Sequence, residues 1–152
     1  MPVSSSPSVG LDDLLAVRIG IAGRLLRVLA DAELADTGVA APGLGVLMRL
    51  LELDAPTQTE LARRQRVEPP SMCRMIDRLE RNGLVARAAD PHDRRATRIR
   101  LTPTGREVAE RGAAVVADID TRVLGDLSAD ERRLLTDLLA RLIDRLPPGG
   151  GA

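Results

Sequence analysis

Ser71, Arg74, Arg78 and Arg81 recur at three- and four-residue steps, the spacing that lines one side of a helix. A guanidinium carried there can give two parallel hydrogen bonds to a guanine edge, and the serine hydroxyl can reach a base or a phosphate. Further along, the run Asp90-Pro91-His92-Asp93-Arg94-Arg95 reads as a charged turn. Arg94 and Arg95 at the tip of a narrow hairpin suit the minor groove, whose concentrated negative potential draws arginine. Asp93 is out of place facing phosphate, so its expected role is internal, orienting an arginine such as Arg78 or Arg95 by a charge-assisted bond. Thr57, Gln58 and Thr59 begin an earlier helix, and the free backbone N–H groups of such a start bind phosphate. Pro70, in the first turn of the arginine-bearing helix, and Arg98, beside the charged tip, complete the candidate set. These groups together would hold phosphates and read base edges.

Two short helices and a hairpin must position them. Thr57-Gln58-Thr59-Glu60 fits a capping box, and the helix it opens extends to about Arg64. Pro69 restarts the chain at a first helical position, which suits proline. Met72, Met75, Ile76 and Leu79 form the inward side of this second helix, and Gly83 ends it. Residues 84–87 and 97–101 alternate like paired strands around the charged turn. This order of parts is that of a winged helix-turn-helix, spanning residues 42–102, with the second helix in the major groove and the hairpin as wing.

Long helices flank this region. Residues 11–36 carry Leu11, Leu14, Leu15, Ala22, Leu25, Leu29 and Ala32 at helical steps, with Gly38 placed to stop the run. Gly20 and Gly23 weaken its middle, and the expected return is close approach of another helix. Pro42 opens a helix to about Leu53. Thr102-Pro103 opens another to about Leu124, with Val108, Val115, Val116, Ile119 and Val123 on one side. A second capping box, from Ser128 to Glu131, starts a last helix rich in leucine. The fold class is therefore mainly α, with a small β-hairpin (α+β). Residues 1–10 read as a disordered arm, 11–146 as a single domain, and 147–152 as a flexible tail.

Composition narrows the function. The chain has 152 residues and no Phe, Tyr or Trp, so its core is built from aliphatic side chains and methionine. Net charge is zero, yet residues 57–106 hold twelve arginines against six carboxylates, a surplus of six that the rest of the chain offsets. A basic middle between acidic ends marks a localised phosphate-facing surface. Some of these charges also pair along helix faces, as Asp77 and Arg81 can. The single Cys73 excludes an internal disulfide and fits a reducing compartment, hence a cytoplasmic protein. No apolar run reaches membrane-span length, and the N-terminus has no secretory pattern.

In its motifs the chain resembles the MarR family of bacterial transcriptional regulators. The resemblance rests on E-L-A-R-R, on P-S-M-C-R-M-I-D-R-L-E-R-N-G-L-V, on the wing D-P-H-D-R-R and on L-T-P-T-G, and covers nearly the whole chain. It implies a homodimer in which helices from residues 11–36 and 103–146 interlock, placing two winged domains on successive major grooves. It implies that Ser71 and Arg74 read bases and that Arg95, braced by Asp93, enters the minor groove. It also implies a regulator whose grip on DNA is loosened by a small molecule or an oxidant, and the reading adopted is a repressor. Gln65 and Arg66 depart from the family pattern, which favours an apolar residue and often a small one before the turn.

Other chemistries find little support. One histidine and one distant cysteine do not make a metal site, and no cofactor motif is present. His92 reads as a solvated wing residue or a phosphate contact. Cys73 reads as a small buried filler, with a redox-responsive thiol as the alternative. No nucleophile–base pair suggests an enzyme. The expectation is a dimeric regulator on a pseudo-palindromic operator in double-stranded DNA. The competing reading is a winged helix that contacts protein, without DNA binding.

Overall fold

The computed structural model describes residues 10–11, 14–90, 92–93 and 95–149. The chain runs α1 (Leu15–Glu33), a 3₁₀ turn (Ala35–Thr37), α2 (Ala41–Glu52), α3 (Gln58–Gln65), α4 (Pro69–Arg81), β1 (Val85–Ala89), β2 (Thr97–Leu101), α5 (Pro103–Leu124) and α6 (Ala129–Ile143). The expected helix over 11–36 is thus shorter. It closes at Leu34, which is buried, and Gly38 ends the 3₁₀ turn at φ +67°. The arm expected over residues 1–10 falls outside the described residues except for Gly10.

Short-range chemistry sets most element ends. Thr57 accepts the Glu60 N–H at 3.2 Å, while the Glu60 carboxylate takes the Thr57 N–H at 2.7 Å. Two backbone donors at the start of α3 are thereby satisfied, worth about 0.5–2 kcal/mol against alanine at the cap. Gly83, at φ +70°, donates to the Glu80 carbonyl, and Leu84 donates to Leu79. These two bonds close α4 as a Schellman turn, which needs a left-handed residue at Gly83. Thr102 caps α5 by accepting the Gly105 N–H at 3.0 Å and donates its own hydroxyl to the Gly83 carbonyl at 2.6 Å. A Cβ at Gly105 would lie 1.8 Å from the Leu84 carbonyl oxygen. Glycine there lets α5 begin against the chain leaving α4.

The hairpin pairs Val85 with Leu101 and Ala89 with Thr97 in antiparallel register. It is fastened to the entry of α3, where Ile99 donates to the Pro56 carbonyl at 2.9 Å. Beneath it lies a closed aliphatic core, with Val46, Leu47, Leu61, Met72, Ile76 and Ile99 fully buried. The first half of α5 joins this core through Ala109, and Gly112 gives way to Leu44 of α2.

The terminal helices differ. Neither α1 nor α6 contains a buried residue. Leu25, Leu26 and Val28 on α1, and Leu134, Leu135 and Leu138 on α6, stand exposed. The close approach expected at Gly20 and Gly23 is not made within the protomer, because nothing lies within 4 Å of either position. The valine side expected for α5 is likewise buried only in part, with Val116 and Val123 exposed.

Of the tail expected over 147–152, residues 147–149 are described and Gly149 is hydrogen-bonded to the turn between α3 and α4. Gly149 donates to the Arg66 carbonyl at 3.0 Å, and Glu68 donates to the Gly149 carbonyl at 3.4 Å. The turn between α3 and α4 leaves backbone groups unpaired, and an extended segment satisfies them. Residues 150–152 lie outside the described ones.

Candidate nucleic-acid interface

The second helix of the pair, α4, presents the expected arginines. Arg74, Arg78 and Arg81 are exposed, and Pro70 is exposed in the first turn. Ser71 differs from its expected place on that side, being 7% exposed. The Arg74 guanidinium donates to the Ser71 hydroxyl at 2.9 Å. The serine therefore sits under the arginine as a rest for it. Helical spacing places Ser71 at the border between faces, and burial decided which side claimed it.

Asp77 and Arg81, four apart, do not pair through the carboxylate. Arg81 donates to the Asp77 backbone carbonyl at 3.3 Å. The Asp77 carboxylate instead holds Arg87 of β1 at 2.6 Å, and Glu80 grips the same guanidinium. Burial works against the Arg87 charge, but the bonds to Asp77 and Glu80 outweigh it and raise the pKa. One of the twelve arginines is therefore committed to fixing the wing against α4 and is lost to the phosphate-facing surface.

A second cluster joins the start of α3 to the wing. The Arg98 guanidinium donates to Asp90 at 2.5 Å and to the Ala55 carbonyl at 3.2 Å, and lies 3.7 Å from Glu60. Thr57 is held by the same Glu60. Arg98, expected as a DNA contact, thus has its Nε and Nη1 donors turned inward. Gln58 follows Thr57 as a half-buried first residue of α3.

At the wing tip Asp93 does meet Arg95, though through the backbone: its carboxylate accepts the Arg95 N–H at 2.9 Å. The carboxylate that holds a guanidinium is Asp90, which is 5% exposed. It also accepts the N–H groups of His92 at 2.7 Å and Asp93 at 3.2 Å. The His92 bond, then the Arg98 bond, hold the Asp90 carboxyl below the ordinary aspartate range. Sequence reading missed Asp90, although an aspartate two residues before the amide it binds is a recognised turn signal. Arg95 and His92 are exposed on the tip; Arg94 lies outside the described residues.

A cleft of 330 Å³ runs beside α4. Val39, Pro42, Met75 and Leu79 line its apolar side, and Ser71, Arg74 and Arg78 its polar rim. Cys73 is half-buried, its thiol 3.8 Å from Asp77. Among the described residues no three metal-ligating side chains converge, and no helix is long and apolar enough to cross a membrane.

Comparison with known proteins agrees with this geometry. The model of the MarR family matches residues 41–97. The HTH-type transcriptional regulator YdgJ of Bacillus subtilis is 35% identical over 108 residues, which are 71% of this chain and 66% of that protein. An HTH-type transcriptional repressor of Mycobacterium tuberculosis, Rv2887, is 35% identical over 120 residues, 79% of this chain and 86% of that protein. Among solved structures, a probable transcriptional regulator from Pseudomonas aeruginosa superposes with a TM-score of 0.79 at 31% identity, covering 88% of this chain and 99% of that one. A mutant of E. coli MarR complexed with operator DNA gives 0.78 at 26% identity, covering 90% and 99%.

Proposed function

The chain belongs to the MarR family, and on that premise we propose that it is a dimeric repressor that reads a pseudo-palindromic operator in double-stranded DNA in the cytoplasm. The observation that carries the reading is the exposed row Arg74, Arg78 and Arg81 on a helix whose other side is locked into the core. A helix so held can enter the major groove as a rigid body.

In this reading Arg74 contacts a base edge, with Ser71 keeping its guanidinium in one position beforehand. Arg78 and Arg81 meet phosphates, and the start of α3 at Thr57 and Gln58 meets another. Arg95, with Arg94 beside it in sequence, serves the minor groove. Asp93 shapes the tip, and Arg98 positions the wing. The second copy is supported by the leucines that α1 and α6 leave exposed along their lengths.

A small-molecule effector relieves the grip. The cleft beside α4 supports this part, because a small anion with an apolar body seated there would occupy Arg74 and Arg78.

The test is a titration of duplex DNA selected from a random pool, repeated across salt concentrations. Affinity should fall with a log–log slope of about −0.9 per phosphate contacted. A flat salt response, or failure to retain any duplex, would sink the reading in favour of a protein-contact module.

A further inference from the structure

The departure at Gln65 and Arg66 has a structural counterpart. Arg66 occupies a left-handed conformation at φ +52°, one of two such non-glycine residues among those described. A residue with a Cβ is strained there. The end of α3 closes on it, with Arg66 donating to the Arg63 carbonyl and Val67 to Ala62, and residues 144–149 add contacts from outside. The Arg66 guanidinium donates to the Asp144 carboxylate at 2.5 Å and to the Leu146 carbonyl at 3.4 Å. Its backbone carbonyl accepts from Gly149, and Gly149 in turn accepts from Glu68. Val67 and Gly149 thus form a parallel bridge. Gln65 meanwhile donates to the Gly45 carbonyl at 2.6 Å, pinning the same turn to α2.

These contacts close a long loop. The 22 residues of α5, about 33 Å long, run out of the winged helix-turn-helix from α2 to β2 (the reading head), and the 15 residues of α6, about 22 Å, bring the chain back. Residues 144–149 span the remainder and attach to the turn between α3 and α4. The head is therefore tied to the α5–α6 pair by the packing of the first half of α5 against α2 and, at a separate point, by residues 144–149. The second attachment, distant from the first, restrains the head from bending about α5.

We propose that residues 144–149 act as a strut, with Arg66, Asp144 and Gly149 as positioning residues. The strut fixes the angle of each reading head on the paired helices and so selects one spacing between operator half-sites. The inference rests on the DNA-reading function proposed above. One base pair moves a half-site by about 3.4 Å and turns it by roughly 35°. A braced head cannot follow that change, and a hinged one can.

Two measurements on the full chain, a chain ending at Leu146, and Asp144→Ala test it. The first is amide exchange, which needs no DNA. Loss of Gly149 should speed exchange at Glu68 by about tenfold or more, while Val67, whose N–H donates to Ala62 within α3, stays protected. The second uses a duplex selected by the full chain, with one base pair inserted or removed between half-sites. The full chain should lose about tenfold or more in affinity on the altered spacing. The shortened chain should lose less than about threefold, with affinity for the parent duplex kept within about threefold, and Asp144→Ala should fall between. Unchanged exchange at Glu68 overturns the strut, and so does a shortened chain that discriminates spacing as the full chain does. If the full chain retains no duplex, the DNA reading and the spacing role fail together, while the exchange difference still reports whether the tail is attached.

Discussion

The reading head and the terminal helices solve the burial problem in opposite ways. Between α2 and β2 the aliphatic side chains close on one another, and Leu61, Met72, Ile76 and Ile99 have no exposed surface. In α1 and α6 the apolar residues recur just as regularly, yet no side chain is buried. Both regions are equally helical by pattern, so the difference does not lie in propensity. A hydrophobic stripe is an unfilled demand, and the head fills it from its own chain while α1 and α6 require a second copy. Stability of the head and stability of the assembly should therefore respond to separate substitutions.

The largest expected effect is on assembly. Leu138→Glu removes an apolar contact worth about 1.5–3 kcal/mol from each protomer, and two-fold symmetry doubles the loss. Sedimentation equilibrium should show monomers, with the head's unfolding signature retained. Dimers of undiminished strength would mean that α6 does not form the interface. Next comes the core. Leu61→Ala should cost about 2–5 kcal/mol in urea unfolding of the full chain. A cost below 1 kcal/mol, on the scale of a surface change, would contradict a tightly closed head.

Arg74→Ala should cost about 1–3 kcal/mol in DNA affinity and relax base preference at one position per half-site. Ser71→Ala should weaken binding less and leave the base preference in place, since the serine acts through the arginine. Equal relaxation in both variants would instead make Ser71 a direct reader.

The smallest effect concerns the wing. Asp90 has a folded pKa below its unfolded value, so its contribution is fully present above the ordinary aspartate range and is lost as pH falls through the folded value. Protection factors at His92 and Asp93 should fall over that acid window, and Asp90→Asn should show the lower protection already at neutral pH. Protection independent of pH in the native protein would argue that the Asp90 carboxylate does not hold the turn.

Much of the head was legible because its signals act over a few residues. The capping boxes at Thr57 and Ser128, the proline at position 69, the stop at Gly83 and the cap at Thr102 all appear where the pattern put them. Each depends on a hydroxyl, a ring or a missing Cβ acting on backbone within one turn. What failed to show were choices among competing partners. Asp77 had Arg81 on its own helix and took Arg87 from the strand. Asp93 looked like the brace, and the nearly buried Asp90 holds Arg98.

The amino-acid order alone determined the elements, most of their ends outside α1, and the arginine-bearing side of α4, because helical period and capping chemistry are local. Tertiary structure decided which arginines remain free for a ligand, where Ser71 points, and that the chain's end fastens to the turn at Arg66. Those outcomes depend on which charges and backbone groups meet across tens of residues. Such meetings are settled by burial and chain closure, and spacing along the chain does not encode them.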